Sequence, residues 1–169
     1  RLIMGENLQL PKPPYAIDNR IREWCWGSLE GGYDTEMWGV LPRVLNFKTS
    51  EQMWETDITF KDIAEAVYEA DTAHWAETFD VLCSRVFSGF EDIAHRVEKN
   101  GGGRAIVVSH GFTIAFLLNL IDAKQPVRVD LQNGSVTRLT YEEGRFTIQE
   151  IGSTEFIEKG REISKDILA

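Results

Sequence analysis

"AIVVSHGFTIAFLLNLI", residues 105–121, changes character in its middle. Residues 105–108 form a short apolar run rich in β-branched side chains, which reads as a buried strand over 104–109. Ser109-His110-Gly111 interrupts it, and residues 112–122 continue as an apolar helix. In open α/β sheets ligands bind beyond the carboxyl ends of the strands, and His110 falls at such an end.

The flanking segments fit an α/β chain. Residues 77–99 carry Phe79, Leu82, Val86, Phe90, Ile93 and Val97 at steps of three and four, one core-facing helical stripe. "NGGGR" stops that helix with glycine where a left-handed cap is wanted. "DIAEAVYEAD" (62–71) is a short amphipathic helix, and the tail from Glu158 a short charged one. "SVTRLTYEEGRFTIQEI" alternates on either side of Glu142-Glu143-Gly144 and predicts a hairpin at one edge of the sheet.

Upstream the pattern is weaker. "RLIM" reads as the last turn of a helix that begins before Arg1, so residues are expected in front of it. "PKPPY" imposes an extended linker, and "AIDNRIREWCWGSLEGGYD" reads as a short strand or extended stretch. Residues 34–60 hold Trp38, Phe47 and Trp54 without a clean period, and are expected as a lid or a surface insertion.

Composition narrows the function. The chain of 169 residues is long enough for one domain with a substantial core. A formal charge of −9 without a basic stripe argues against a nucleic-acid partner, but leaves room for a small anionic substrate held by local cations and amides. Cys25 and Cys83 stand far apart with no metal-ligand spacing, so a reduced, cytoplasmic protein is expected, a single disulfide being the alternative. No apolar run reaches membrane-spanning length, and no membrane partner is expected. Oligomeric state leaves no mark in the sequence, which is compatible with a homodimer.

Two positions are candidates for chemistry. His110 at the strand end can serve as base, nucleophile or positive clamp, or merely close the strand by bonding a carbonyl. Gly111 lets backbone approach a ligand closely, and the amides of Gly111 and Phe112 open a helix able to hold an oxyanion. Glu23, beside an indole and between Arg22 and Trp24, is a candidate proton donor; the alternative is a solvated acid paired with Arg20 or Arg22. Arg22 and Trp24 are candidate substrate contacts. His74, His95 and Glu30 are expected as surface and turn residues.

Taken together, "AIVVSHG" with its helix and the following "LQNGSVTRLTYEEGRFTIQEI" resemble the C-terminal half of the histidine phosphatase superfamily, which includes the cofactor-dependent phosphoglycerate mutases. "NRIREWCWGSLEG" is similar to that family's "LxExxxGxxEG" segment, and "AETFDVLCSRVFSGFEDIAHRV" to its "GES…R" helix, with Ala76 where glycine is usual. The resemblance spans most of residues 15–152.

It implies a single α/β domain with a mostly parallel sheet, helices on both faces and an antiparallel hairpin at one edge. It also implies a phosphatase of small phosphate monoesters that works through a phosphohistidine, without a metal or other cofactor. In that scheme His110 stabilises the transferring phosphoryl and Glu23 protonates the leaving alkoxide. The family's nucleophile lies in an Arg-His-Gly motif, and this chain has no such triplet. The nucleophile, with a first strand and helix, is therefore expected upstream of Arg1, and the 169-residue chain by itself is expected to be inactive. Ala115 stands where many members carry arginine after the Ser-His-Gly turn.

A mutase is the nearest rival, weakened because Trp24 replaces the arginine that mutases carry after the glutamate. A non-catalytic phosphate-binding or regulatory relative is another. A serine hydrolase is disfavoured because no G-x-S-x-G elbow is present.

Overall fold

A computed structural model describes residues 14–168, so "RLIM" and most of the proline linker lie outside the described residues. Two single-turn 3-10 segments, Asn19–Ile21 and Gly27–Leu29, stand where an extended stretch was expected. Helices α1 (Asp34–Val44), α2 (Ser50–Trp54), α3 (Phe60–Ala70), α4 (Phe79–Lys99) and α5 (Gly111–Ile121) follow. A hairpin of β1 (Val136–Glu142) and β2 (Arg145–Ser153) then leads into α6 (Glu155–Leu168).

The core forms where the apolar stripes of these helices meet. Leu82 and Val86 of α4, Phe116 and Leu117 of α5, and Phe60, Ile63 and Val67 of α3 share one buried cluster. Capping starts the helices where the sequence places hydroxyls. Thr59 and Asp62 exchange hydrogen bonds across the first turn of α3, and the Thr78 hydroxyl accepts from the Val81 amide at the start of α4. The hairpin closes through Glu143 and Gly144, both with positive φ (51° and 77°), which is the primed turn that matches strand twist.

Residues 34–60 contribute to this core. Leu41 of α1 and Met53 of α2 have no exposed surface. Pro42 inside α1 hides the helical signal, since it cannot donate to the Trp38 carbonyl one turn back. Ser50 Oγ donates to that carbonyl at 3.0 Å, so α2 repairs the bond that α1 lacks.

The sheet departs from expectation. Among the described residues the only ladder is the antiparallel pair β1–β2, and residues 103–110 carry no regular secondary structure. Ile106 and Val108 are 80% and 84% exposed. No described strand lies beside them, and a strand without a ladder partner leaves its backbone groups and side chains to solvent. The fold is α/β, with a two-stranded sheet among the described residues. No described helix is long and apolar enough to cross a membrane.

Candidate active site

The segment carrying Glu23 is laced to the turn carrying His110. Ser109 Oγ donates to the Ile21 carbonyl at 2.7 Å, and Thr113 Oγ1 lies 2.9 Å from the Arg22 carbonyl. Glu23 then sets its carboxylate on the first turn of α5. Its Oε1 is approached by the Thr113 hydroxyl at 2.7 Å, the Thr113 amide at 3.0 Å and the Trp24 amide at 3.1 Å. Among the described residues Oε2 accepts from the Phe112 amide alone, at 3.3 Å. A carboxylate there satisfies amides that the helix leaves unpaired and meets the positive end of its dipole.

His110 is the residue before that helix, with extended backbone and no capping bond from its side chain. It is exposed, and among the described residues its imidazole and the Gly111 amide have no hydrogen-bond partner. Glu23 and His110, far apart in the chain, thus flank one helix terminus. The oxyanion cradle differs from expectation in one respect: Glu23 occupies the Phe112 amide, so Gly111 supplies the open donor.

Helix α4 holds this arrangement from behind. Arg85 donates through Nε and Nη2 to the two Glu77 oxygens, each at 2.7 Å. Its Nη1 also reaches the carbonyls of Arg20 at 2.7 Å and Arg22 at 3.1 Å, and Nη2 reaches that of Glu23 at 3.4 Å. Glu77 further accepts from Arg22 Nη2 and the Cys25 amide. Gly89 lets the chain come this close, because a Cβ there would lie 2.8 Å from the Arg20 Cβ.

The far side of the Glu23 segment is pinned by Asp71. Its carboxylate accepts from the amides of Ser28, Ala73, Trp75 and Ala76 at 2.6 to 2.8 Å. Gly27, with φ +61°, faces this group, and a Cβ there would overlap the Asp71 carboxyl. Burial by itself pushes the Asp71 carboxyl up, but the four amides hold it well below the usual carboxylate range.

An aromatic wall stands next to the cradle. The Trp24 ring packs edge-on against Phe112 (centroids 4.7 Å apart) and Phe116 (5.1 Å), and stacks on Trp26 at 5.5 Å. Phe112 continues to Trp38 at 5.8 Å, and Trp38 to Trp54 at 5.4 Å.

The expected contacts therefore divide. Arg22 is half-exposed and ion-paired with Glu77. Trp24, expected to touch substrate, is instead a core residue at 3% exposure, its buried Nε1 unpaired among the described residues; its backbone amide faces the site. The Phe112 ring is likewise engaged by packing, and its amide by Glu23. Glu30 closes the Gly27–Leu29 turn by accepting from the Trp26 amide. His95 is exposed, between Glu98 and the Tyr141 hydroxyl, and His74 lies in a left-handed turn. Cys25 and Cys83 are free thiols. Among the described residues no three His, Cys, Asp or Glu side chains converge to hold a metal ion.

The sequence alone assigns no role to Thr113, Arg85, Glu77 or Asp71, although Glu77 and Arg85 fall in the "GES…R" segment. Thr113 had a readable signal, a hydroxyl at the third position of a helix that follows a candidate catalytic residue.

Residues 3–154 match the family model of the histidine phosphatase superfamily, branch 1. The crystal structure of phosphoglycerate mutase from Bacillus anthracis str. Sterne is similar, with a TM-score of 0.78 and 25% identity, covering 84% of this chain. The chain spans 61% of that mutase's length. None of the curated proteins matches. With a family model matched across nearly its whole length, Glu23 and His110 included, the chain belongs to the histidine phosphatase superfamily.

Proposed function

We propose that the whole protein hydrolyses small phosphate monoesters, passing the phosphoryl group to a histidine and then to water. Glu23 protonates the leaving alkoxide, and His110 stabilises the phosphoryl in flight. The observation that carries this reading is the docking of the Glu23 carboxylate on the helix turn that directly follows an exposed His110, whose imidazole has no partner among the described residues. Negative oxygens in transfer need fixed donors, and the Gly111 amide and Arg22 guanidinium are the groups at hand. The nucleophile is assigned to a histidine on a further strand pairing along residues 105–108, which completes a mostly parallel sheet with helices on both faces. The exposure of Ile106 and Val108 supports that placement. Residues 34–60 wall the pocket entrance, with Trp38, Arg43 and Trp54 as contacts, and the cytoplasm is the compartment.

The similar crystal structure is of a phosphoglycerate mutase, which favours the rival reading of transfer to a second alcohol. Against it, the residue after Glu23 is Trp24, whose indole is turned into the core. Hydrolysis is the reading adopted.

The full-length protein is expected to release phosphate from 4-nitrophenyl phosphate without added metal and to form an acid-labile ³²P adduct. His110→Ala lowers kcat by a factor of about 10²; an unchanged kcat removes His110 from its role. Glu23→Gln slows alkyl phosphates more than 4-nitrophenyl phosphate, because a good leaving group needs no proton. Equal losses on both esters take the donor's part away from Glu23.

A further inference from the structure

The Thr113 hydroxyl has one hydrogen and two acceptors. The Arg22 carbonyl lies 2.9 Å away and Glu23 Oε1 2.7 Å away, and the side chain is fully buried. Neither acceptor depends on that hydrogen alone. Arg85 Nη1 also donates to the Arg22 carbonyl, and the Trp24 and Thr113 amides also donate to Oε1. The hydrogen is therefore free to turn either way without stranding a buried group, whose desolvation would otherwise oppose the change.

The two oxygens of Glu23 are unequally engaged. Among the described residues three donors surround Oε1, while Oε2 has only the Phe112 amide at 3.3 Å. Oε2 is the oxygen with room for a proton.

We propose that Thr113 is a positioning residue for proton transfer by Glu23, its hydroxyl turning between the Arg22 carbonyl and Glu23 Oε1 as the carboxyl loses and regains its proton. The proposal rests on Glu23 being the proton donor. In the first half-reaction the ester P–O bond breaks and the phosphoryl passes to the histidine. The proton on Oε2 goes to the departing alkoxide, which leaves as the alcohol, and Glu23 becomes a carboxylate. Negative charge spreads to Oε1, and the Thr113 hydrogen turns from the neutral carbonyl to the charged oxygen, where the bond is stronger. In the second half-reaction water returns a proton to Oε2 as its oxygen attacks phosphorus and the P–N bond breaks. The hydroxyl then swings back to Arg22. Arg85 makes the swing possible by keeping the carbonyl bonded when Thr113 leaves it.

The test compares Thr113→Val and Thr113→Ser in the full-length protein on ethyl phosphate and 4-nitrophenyl phosphate. Thr113→Val is expected to lower kcat about tenfold on the alkyl ester and less than about twofold on the aryl ester, with KM little changed. Thr113→Ser restores the alkyl rate, and Thr113→Val adds nothing in a Glu23→Gln background. A purely structural role would instead lower both esters alike. If Glu23→Gln discriminates between the esters and Thr113→Val does not, the Thr113 proposal alone falls. If Glu23→Gln does not discriminate, or neither ester is hydrolysed, the donor reading fails and this proposal with it.

A second readout is independent of turnover. In infrared spectra of the acidified protein, the carboxylic C=O band lost in Glu23→Gln should shift in Thr113→Val and stay in place in Thr113→Ser. A band unmoved by valine overturns the proposal.

Discussion

Arg85→Met is expected to lower the unfolding free energy by about 3–5 kcal/mol, the usual result of removing one partner from a buried ion pair. The Arg85 and Glu77 side chains are 9% and 8% exposed, so neither charge is well hydrated. Methionine fills much of the volume but leaves Glu77, among the described residues, with Arg22 and the Cys25 amide. It also withdraws the guanidinium from the carbonyls of Arg20, Arg22 and Glu23. Urea titration of wild type, Arg85→Met and Arg85→Lys measures the effect. Lysine should recover only a small part, because a point charge cannot fork across a carboxylate and reach three carbonyls. Equal midpoints for all three proteins would mean that the clamp contributes nothing. Loss of the clamp also frees the backbone that carries Glu23, so activity should fall even where the variant remains folded.

Asp71→Asn is expected to lower Tm at neutral pH by on the order of 10 °C. The carboxylate accepts from four amides across two turns, and asparagine offers one accepting oxygen and places two hydrogens against donors. The pH dependence carries the same signature. The folded state holds the Asp71 carboxyl below its ordinary value of 3.8, so the unfolded chain binds this proton more readily. Its stabilisation is complete above the unfolded value and fades as pH falls from about 4 toward the lower folded value. Asp18, lowered to about 2 chiefly by its hydrogen bonds to Arg20, contributes a parallel acid limb. The informative quantity is therefore the difference in Tm between wild type and Asp71→Asn across pH 2 to 7. A difference that stays constant through the acid range contradicts the assignment.

The elements legible in the sequence are those whose partners are local. The stripe from Phe79 to Val97 predicts α4 because each of its contacts repeats at the helical period. Glu143-Gly144 predicts the hairpin because two residues with positive φ suffice to reverse the chain. Residues 34–60 are illegible because Pro42 breaks the bonding pattern of α1, and the repair comes from Ser50 in the next element. The expected strand at 104–109 has no ladder among the described residues for the opposite reason, since a strand exists only beside another and local residues cannot supply one.

The site follows the same rule. Glu23 and His110 stand out in the sequence by side-chain type and position within a motif, and the structure brings them to one helix terminus. Trp24 is misread because its neighbour in sequence faces the site while its own ring turns inward. Glu77 and Arg85 lie in the "GES…R" segment, but their hold on the backbone of residues 20–25 leaves no residue type to read, and the same is true of the bond from the Ser28 amide to Asp71.

Four of the five tryptophans sit in one chain of ring contacts, from Trp24 through Trp26 and Trp38 to Trp54, while Trp75 stands apart in an exposed turn. Indoles held in fixed orientation by rigid tertiary packing give near-ultraviolet dichroism, which is lost when that packing loosens. The protein thus carries a built-in optical reporter of packing that starts at the residue next to Glu23, with a fifth, exposed indole as internal reference.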